Sequence, residues 1–256
     1  TTLDRVREKT GAFEPLKRGV FKFIHPAVVE ACLRLLPDEE RRNAHGRLAE
    51  LLESSGAPPE LSARHLVASR QHARAVPQLL AAVKRDFNVG LYQEAADHIN
   101  EAEAAQREAG VADDMTEFLL LKCRVAVAQG QWAKCTDTAP YLLKSELLGP
   151  RDRADTLHSY SCALKGLAEF DAAEDKLRQA MSLYQDLVDS ENQCRCQLTA
   201  GAIWFERGKL DRAAEIFGEV ILTLGGGDSQ VLASANMNLA VVATVRGRPS
   251  EAVEYF

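Results

Sequence analysis

A short pattern of residue sizes recurs five times along this chain. Each copy has a small residue, a bulky residue two positions later and a second small residue five positions after the first. The copies are Gly90-Tyr92-Ala95, Gly130-Trp132-Cys135, Ala168-Phe170-Ala173, Gly208-Leu210-Ala213 and Gly247-Pro249-Ala252. Their starting positions are separated by 40, 38, 40 and 39 residues. Such even spacing indicates a repeat protein, in which each unit packs against its neighbours.

Each repeat is predicted to contain two amphipathic helices joined at its first small residue. Apolar residues recur at intervals of three and four after each turn, which is the periodicity of one helix face. One such run is Leu210, Ala213, Ala214, Phe217, Val220 and Ile221. A tight turn between antiparallel helices needs a residue that tolerates a positive φ, and glycine does so without steric cost. The sequence therefore predicts helix pairs that meet at residues 90, 130, 168, 208 and 247.

These residues resemble the tetratricopeptide repeat, whose second helix carries small, large and small residues at fixed distances after the turn glycine. The fourth and fifth units match best, through Gly201, Trp204, Gly208, Ala213 and Phe217 in the fourth and Asn238-Leu239-Ala240, Gly247 and Ala252 in the fifth. The resemblance covers about residues 74–256 and implies an all-α fold, a right-handed superhelical solenoid of helix hairpins. The period of about 39 residues is longer than the usual 34. Pro140 is expected to kink or restart its helix.

A different unit precedes the repeats. Phe21-Lys22-Phe23 predicts a strand, His25-Pro26 opens a predicted helix that ends near Leu36, and Pro37-Asp38 opens another that ends near Glu53. The stretch from Gly19 to Leu52 resembles the winged-helix end of STAND-type signal-transduction ATPases such as the maltose-regulon activator, in which tetratricopeptide repeats follow the winged helix. We therefore predict a winged-helix remnant at 1–56, connecting helices at 57–88 and tetratricopeptide-like repeats at 89–256.

The charge distribution bears on the class of partner. Residues 1–60 contain 10 basic and 10 acidic side chains, which leaves 21 basic and 27 acidic ones for the rest of the chain. An acidic helical array repels the phosphate backbone of nucleic acids, so we expect no nucleic-acid binding by this segment. No apolar run has the length of a membrane-spanning helix, and six scattered cysteines suit a reducing compartment. We expect a cytoplasmic protein that does not contact membranes.

The sequence contains no pattern that predicts catalysis. The run from Gly225 to Ser229 is rich in glycine, but the lysine of a phosphate-binding loop does not follow it, so we interpret it as an inter-repeat loop. No Cys-x-x-Cys pair occurs, and Cys194 and Cys196 lie on different faces of a predicted helix. We therefore expect no enzymatic activity, no cofactor and no bound metal.

His25 is the candidate for nucleotide contact. In ATPases of the apoptosome and plant-resistance type, a winged-helix histidine at such a strand-to-helix boundary contacts the terminal phosphate. The resemblance therefore implies a nucleotide-sensing role for His25, which requires an ATPase domain in cis. The alternative is a helix-entry histidine bonded to the local backbone. Because the sequence lacks a first methionine and ends inside a repeat, we expect it to be part of a larger protein.

The first helices of stacked helix pairs line a concave groove, which typically takes a peptide, a protein or a small inducer. Counting from the turns assigns these residues to a partner groove: Leu120, Arg124, Asp155, His158, Cys162, Lys165, Arg195, Leu198, Phe205, Ser234, Met237, Asn238 and Val241. In long-repeat relatives, an asparagine at the position of Asn238 binds the backbone of an extended peptide. The alternative for Asn238 is a structural bond to a neighbouring repeat.

Two functions are compatible with these features. The first is a non-catalytic sensor or scaffold arm of a signal-transduction ATPase, in a transcriptional regulator. The alternative is a freestanding tetratricopeptide adaptor that binds peptides. A nucleotide-binding Walker motif in the sequence upstream distinguishes the first from the second.

Overall fold

The computed structural model describes residues 13–17, 20–23, 36–110, 115–225 and 229–255. His25 and the predicted helix that follows it to residue 35 lie outside the described residues, so that helix and its nucleotide-sensing role stay predictions. The chain divides into two compact units, one of residues 1–82 and 101–111, the other of residues 83–100 and 112–256. The predicted domain boundaries at 56/57 and 88/89 fall in or next to turns between helices.

The first unit contains a β-hairpin followed by helices. Strand β1 (Phe13–Lys17) pairs antiparallel with β2 (Val20–Phe23), and the register is irregular between Pro15 and Lys17. The predicted strand lies within β2, but β1 was missed, because a proline cannot donate to a sheet and lowers the strand signal. Helices α1 (Asp38–Ser54) and α2 (Pro59–Ala68) follow. A proline lies just before or at the start of each, where its missing N–H costs nothing.

Five further helix pairs lie within the described residues. They are α3 (His72–Asn88) with α4 (Tyr92–Ala109), α5 (Thr116–Ala128) with α6 (Trp132–Leu143), α7 (Pro150–Gly166) with α8 (Phe170–Asp186), α9 (Ser190–Glu206) with α10 (Leu210–Leu224), and α11 (Gln230–Val245) with α12 (Pro249–Val253). Each pair meets at one of the predicted turn residues, whose φ values lie between +60° and +80°. The turn at Ala168 has the same conformation as the four glycine turns.

The second small residue of each repeat is buried, and the apolar clusters around Cys135, Ala173 and Ala213 include residues of the other helix of the same repeat. Ala95, Cys135, Ala173 and Ala213 are completely buried and Ala252 is nearly so. Within the second unit, each helix from α5 onward packs against the next, and the first helices α5, α7, α9 and α11 also contact one another in order. The prediction of an all-α solenoid of tetratricopeptide-like hairpins is therefore confirmed.

Two helical glycines permit close contacts between helices. A Cβ placed on Gly201 of α9 would lie 2.4 Å from Cε1 of Phe217 on α10. A Cβ on Gly166, at the end of α7, would lie 2.4 Å from Cε2 of Trp132 on α6. Real side chains do not approach this closely, so the aromatic rings occupy the space that these glycines leave open.

The expectation that Pro140 restarts its helix is wrong. Helix α6 is one continuous helix of 12 residues that passes through Pro140 and ends at Leu143. Pro140 removes the one hydrogen bond that its N–H would donate to the carbonyl of Thr136, and the backbone nevertheless stays helical on both sides of it. The helix is instead short: the corresponding second helices α8 and α10 have 17 and 15 residues.

A polar contact recurs between successive repeats of the second unit. It joins the residue before a turn to the second residue of the preceding repeat's second helix. The pairs are Gln129 with Gln93, whose Nε2 and Oε1 atoms are 3.2 Å apart, Arg207 with Asp171, and Arg246 with Asp211. The equivalent residues of the junction between the second and third repeats are Leu167 and Ala133, which cannot form a polar contact.

Candidate partner-binding groove

An open cavity of about 810 Å³ lies in the second unit. The end of α3 with the following turn, and helices α5, α7, α9 and α11, provide its walls, so all five repeats contribute. Of the residues assigned to the groove from sequence, the cavity is lined by Arg124, His158, Arg195, Leu198 and Ser234. The first helices of the repeats thus bring side chains from positions 124 to 234 to one surface.

Two predicted residues lie in a neighbouring cavity. Asp155 and Leu120 line a second opening of about 460 Å³, and Arg124 lines both. The carboxylate of Asp155 accepts a hydrogen bond from the hydroxyl of Tyr184, which is buried. Asp155 therefore has a structural partner within its own repeat in addition to its position at the opening.

The remaining predicted groove residues do not line either cavity. Lys165 donates to Glu206, with 2.8 Å between Nζ and Oε1. Phe205 is half-buried and packs with the apolar cluster around Phe217 instead of facing the cavity. Met237 is 52% exposed. Asn238 is half-buried, and its side chain forms no hydrogen bond with the described residues. The structure therefore does not show the structural bond that was the alternative for Asn238.

The two arginines of the cavity are not engaged in ion pairs with the described residues. The guanidinium of Arg124 lies over the ring of Phe87, 4.8 Å from its centroid. Arg195 donates from Nη1 to Oδ1 of Asn192 over 3.0 Å. Elsewhere in the same unit, arginines such as Arg151 and Arg207 pair with aspartates. One acidic residue, Glu191, also lines the cavity, so the two arginines leave its lining with a net positive charge in the acidic part of the chain.

Some polar residues of the cavity were missed from sequence. They are Asn88 and Tyr92 at the first turn, Glu191, Asn192 and Thr199 on α9, and Gln230 at the start of α11. Counting from the turns covered only the second to fifth repeats. The signal in the first repeat was the pair of aromatic residues Phe87 and Tyr92, which flank its turn five residues apart. Their rings are 5.4 Å apart in the structure. Asn192 could have been found as the residue one helical turn before Arg195.

A histidine, a threonine and a cysteine meet at the wall of the cavity. Nε2 of His158 on α7 lies 3.0 Å from Oγ1 of Thr199 on α9. Sγ of Cys162, one turn after His158, lies 3.7 Å from each of these two atoms. The cluster joins the first helices of the third and fourth repeats.

Neither a candidate metal site nor a candidate membrane-spanning helix occurs in the described part of the chain. No group of three or more His, Cys, Asp and Glu side chains there could hold a metal ion. In that same part, no helix combines the length and the apolar character needed to cross a bilayer.

The structure is similar to solved structures of repeat proteins. The crystal structure of BtubC (BKLC) from P. vanneervenii matches with a TM-score of 0.54 and 17% identity, over 86% of this chain and 88% of that chain. A putative kinesin light chain of Podosopora anserina with nearly identical TPR-like repeats matches with a TM-score of 0.51 and 17% identity, over 70% of this chain and 90% of that chain. A single-residue variant of that same protein gives 0.52 and 16% over the same shares. The fold is that of tetratricopeptide-like repeat proteins.

The similarity in sequence is weaker than the similarity in structure. No protein-family model matches the chain, and no curated protein matches it either. At 16 to 17% identity, the structural matches show the tetratricopeptide-like fold alone. The winged-helix and ATPase parts of the sequence interpretation stay predictions.

Proposed function

We propose that this chain is a non-catalytic protein-interaction scaffold that binds an extended, acidic peptide segment of a partner in the 810 Å³ cavity. The observation that carries the proposal is the pair Arg124 and Arg195. These arginines come from different repeats, line one open cavity and form no ion pair with the described residues.

The chemistry of the cavity fits carboxylates. A guanidinium group binds a carboxylate through two parallel hydrogen bonds and stays charged at all physiological pH values. The amide side chains of Asn88 and Asn192 can donate to and accept from the backbone of an extended peptide. Leu198 and Val231 add apolar surface between them. Such a mixture orients a peptide without requiring one particular sequence.

The other predicted groove residues are proposed as secondary contacts. Asp155 borders the adjoining cavity, and Lys165, Met237 and Asn238 extend the first-helix surface beyond the central cavity. Phe205 is retained only as a packing residue of the fourth repeat, since its ring lies with the apolar cluster. A bound protein, peptide or small inducer that extends beyond the central cavity would contact these secondary residues.

A binding assay with synthetic peptides tests the proposal. An array of extended acidic peptides selects a ligand, and fluorescence anisotropy then measures its dissociation constant. We expect Arg124→Gln and Arg195→Gln each to weaken binding about tenfold, which corresponds to about 1.4 kcal/mol for one lost charge-assisted contact. Arg178→Gln is the matched control, because Arg178 is an exposed arginine of α8 outside the cavity.

Two results would contradict the proposal. One is that basic peptides of equal length bind as tightly as acidic ones. The other is that Arg178→Gln weakens binding as much as the two cavity substitutions, because then only net charge matters.

A narrower proposal makes the scaffold the sensor arm of a signal-transduction ATPase in a transcriptional regulator. Its support is the resemblance of residues 19–52 and the presence of strand β2 and most of helix α1 in that stretch. The full open reading frame tests it: a Walker motif upstream of Thr1 is expected. In such a full-length protein, His25→Ala should speed nucleotide exchange. A reading frame without that motif favours the freestanding adaptor.

A further inference from the structure

Cys162 differs from the other described cysteines in its surroundings. Cys123, Cys135, Cys194 and Cys196 are buried, whereas Cys162 is only partly buried. Its Sγ lies 3.7 Å from Nε2 of His158 and 3.7 Å from Oγ1 of Thr199, and both of those residues line the open cavity. Cys162 is therefore a partly exposed thiol beside an imidazole and a hydroxyl that both line the open cavity.

The hydrogen bonds around this thiol determine where a proton lies. While Cys162 is a thiol, the hydroxyl of Thr199 donates to the backbone carbonyl of Arg195 over 3.3 Å, and it can turn to donate to Sγ, 3.7 Å away, when the thiolate forms. In both cases the Thr199 oxygen is left to accept, so Nε2 of His158, 3.0 Å away, is the donor. The same N–H lies beside Sγ of Cys162, where it can also donate to a thiolate. A donor that becomes a cation on protonation favours the thiolate form of a cysteine.

The acidity of the thiol agrees with this geometry. Burial raises the pKa of Cys162, but the charge of His158, hydrogen bonds from His158 and Thr199 and the charge of Lys165 outweigh it and lower the pKa to about 7. The pKa values of Cys194 and Cys196 are raised instead, first by burial. At neutral pH, Cys162 is therefore in the nucleophilic thiolate form in a large fraction of the molecules, while Cys194 and Cys196 stay protonated.

We propose that Cys162 is a modification site that forms a mixed disulfide with anionic low-molecular-weight disulfides, the class to which glutathione disulfide belongs. The thiolate attacks one sulfur of the reagent, a new S–S bond forms and the S–S bond of the reagent breaks. The released thiolate takes up the proton that Cys162 gave to solvent. The reagent supplies the oxidising equivalents, and Arg124 and Arg195 attract its carboxylates into the cavity.

The modification has a consequence for partner binding. The adduct projects into the same cavity that Arg124 and Arg195 line, so it and a bound peptide exclude each other. This consequence rests on the proposed function, whereas the modification itself does not.

Peptide mapping by mass spectrometry tests the modification. The full chain is incubated with glutathione disulfide, sampled over time across a range of pH and digested with trypsin, which cleaves after Arg195 and so separates Cys194 from Cys196. We expect Cys162 to react at least about tenfold faster than either, with half-maximal thiolate reactivity near the pH set by its lowered pKa. In His158→Gln, that midpoint should rise by one pH unit or more.

In His158→Gln, the rate at which Cys162 reacts at neutral pH should fall only modestly, although the midpoint of its pH profile shifts. Loss of His158 lowers the thiolate fraction, but a thiolate of higher pKa is the better nucleophile, so we expect a rate only about threefold to fivefold lower. Cystamine, a cationic disulfide, should react more slowly than glutathione disulfide, and Arg195→Gln should reduce that difference.

Three results would overturn the modification site. They are equal rates at Cys162, Cys194 and Cys196, a midpoint at the ordinary cysteine value in the unsubstituted protein, and an unchanged midpoint in folded His158→Gln. If circular dichroism shows that His158→Gln does not fold, the pH profile of the unsubstituted protein still decides whether Cys162 is an activated modification site. An adduct that forms at Cys162 without reducing peptide affinity would contradict the shared cavity and leave the modification intact.

Discussion

Two alanine substitutions on adjacent helices measure the tightest contact of the fourth repeat. Gly201 of α9 faces the ring of Phe217, and an added Cβ would lie 2.4 Å from Cε1. Gly218 of α10 is the matched control, because an added Cβ there meets nothing within 4 Å. Both positions are inside helices, so both substitutions gain the same helix propensity.

The expected magnitude follows from two opposing terms. Replacing glycine by alanine inside a helix stabilises by about 1 kcal/mol. Overpacking costs about 1 to 3 kcal/mol, and the cost is near the upper limit when the clashing group cannot move. Phe217 is 2% exposed and packs against Ala213, Leu239 and Val242, so its ring has little space to rotate away. Gly201→Ala should therefore be about 2 to 3 kcal/mol less stable than Gly218→Ala.

Thermal unfolding followed by far-ultraviolet circular dichroism measures the difference. For a chain of this size, about 2 to 3 kcal/mol corresponds to a melting temperature about 4 to 12 °C lower in Gly201→Ala than in Gly218→Ala. Melting temperatures that agree within about 1 °C would refute the argument, because they would mean that α9 and α10 separate at no cost.

Three further predictions concern a turn, a helix crossing and a histidine pair. Ala168 has a φ of 60°, so Ala168→Gly should raise the free energy of unfolding by about 0.5 to 1 kcal/mol in urea titrations, since glycine relieves left-handed strain. Ala213 is completely buried at a helix crossing, so Ala213→Leu should lower that free energy by about 1 to 3 kcal/mol, and an unchanged value would show that the crossing is loose. The pKa of His65 is lowered from 6.5 by burial, by His45, whose Nδ1 lies 2.8 Å from its own Nδ1, and by Arg64. The unfolded chain therefore binds the proton better, so the protection of the amides in α1 and α2, after correction for the intrinsic pH dependence of exchange, should be greatest above pH 6.5 and should decrease as the pH falls below it, and His65→Gln should flatten the profile.

The turns were predictable from sequence because the repeat pattern depends on residue size and spacing. Ala168 shows this best, since it was placed at a turn by its interval from its neighbours and has the left-handed φ of the glycines. Strand β1 was not predictable, because Pro15 removes a hydrogen-bond donor from a segment of five residues. The contact of Gly166 with Trp132 was also missed, since the two residues are 34 positions apart and no local periodicity connects them.

The groove could be predicted only in part. Counting from the turns gives the helix face of a residue, and Arg124, His158 and Arg195, which were chosen by this counting, line one cavity in the structure. The same counting does not give the rotation of the next repeat. Phe205 therefore packs into the apolar cluster of its own hairpin, and Met237 stays exposed outside the cavity.

The contacts between successive repeats differ in their response to dissolved ions. In the Arg207 and Arg246 pairs, the side chains of Asp171 and Asp211 are 98% and 96% exposed. Added salt therefore weakens the attraction in these pairs, since the screening length in water is about 10 Å at 0.1 M salt and becomes shorter as salt is added. The junction of Leu167 and Ala133 has no such charges and is held by Trp132 against Gly166. Raising the ionic strength should therefore loosen the last two junctions of the second unit and leave the junction between α6 and α7 unchanged. At high salt the junctions of the second unit should therefore differ in stiffness according to whether an exposed ion pair or an uncharged contact joins the two repeats.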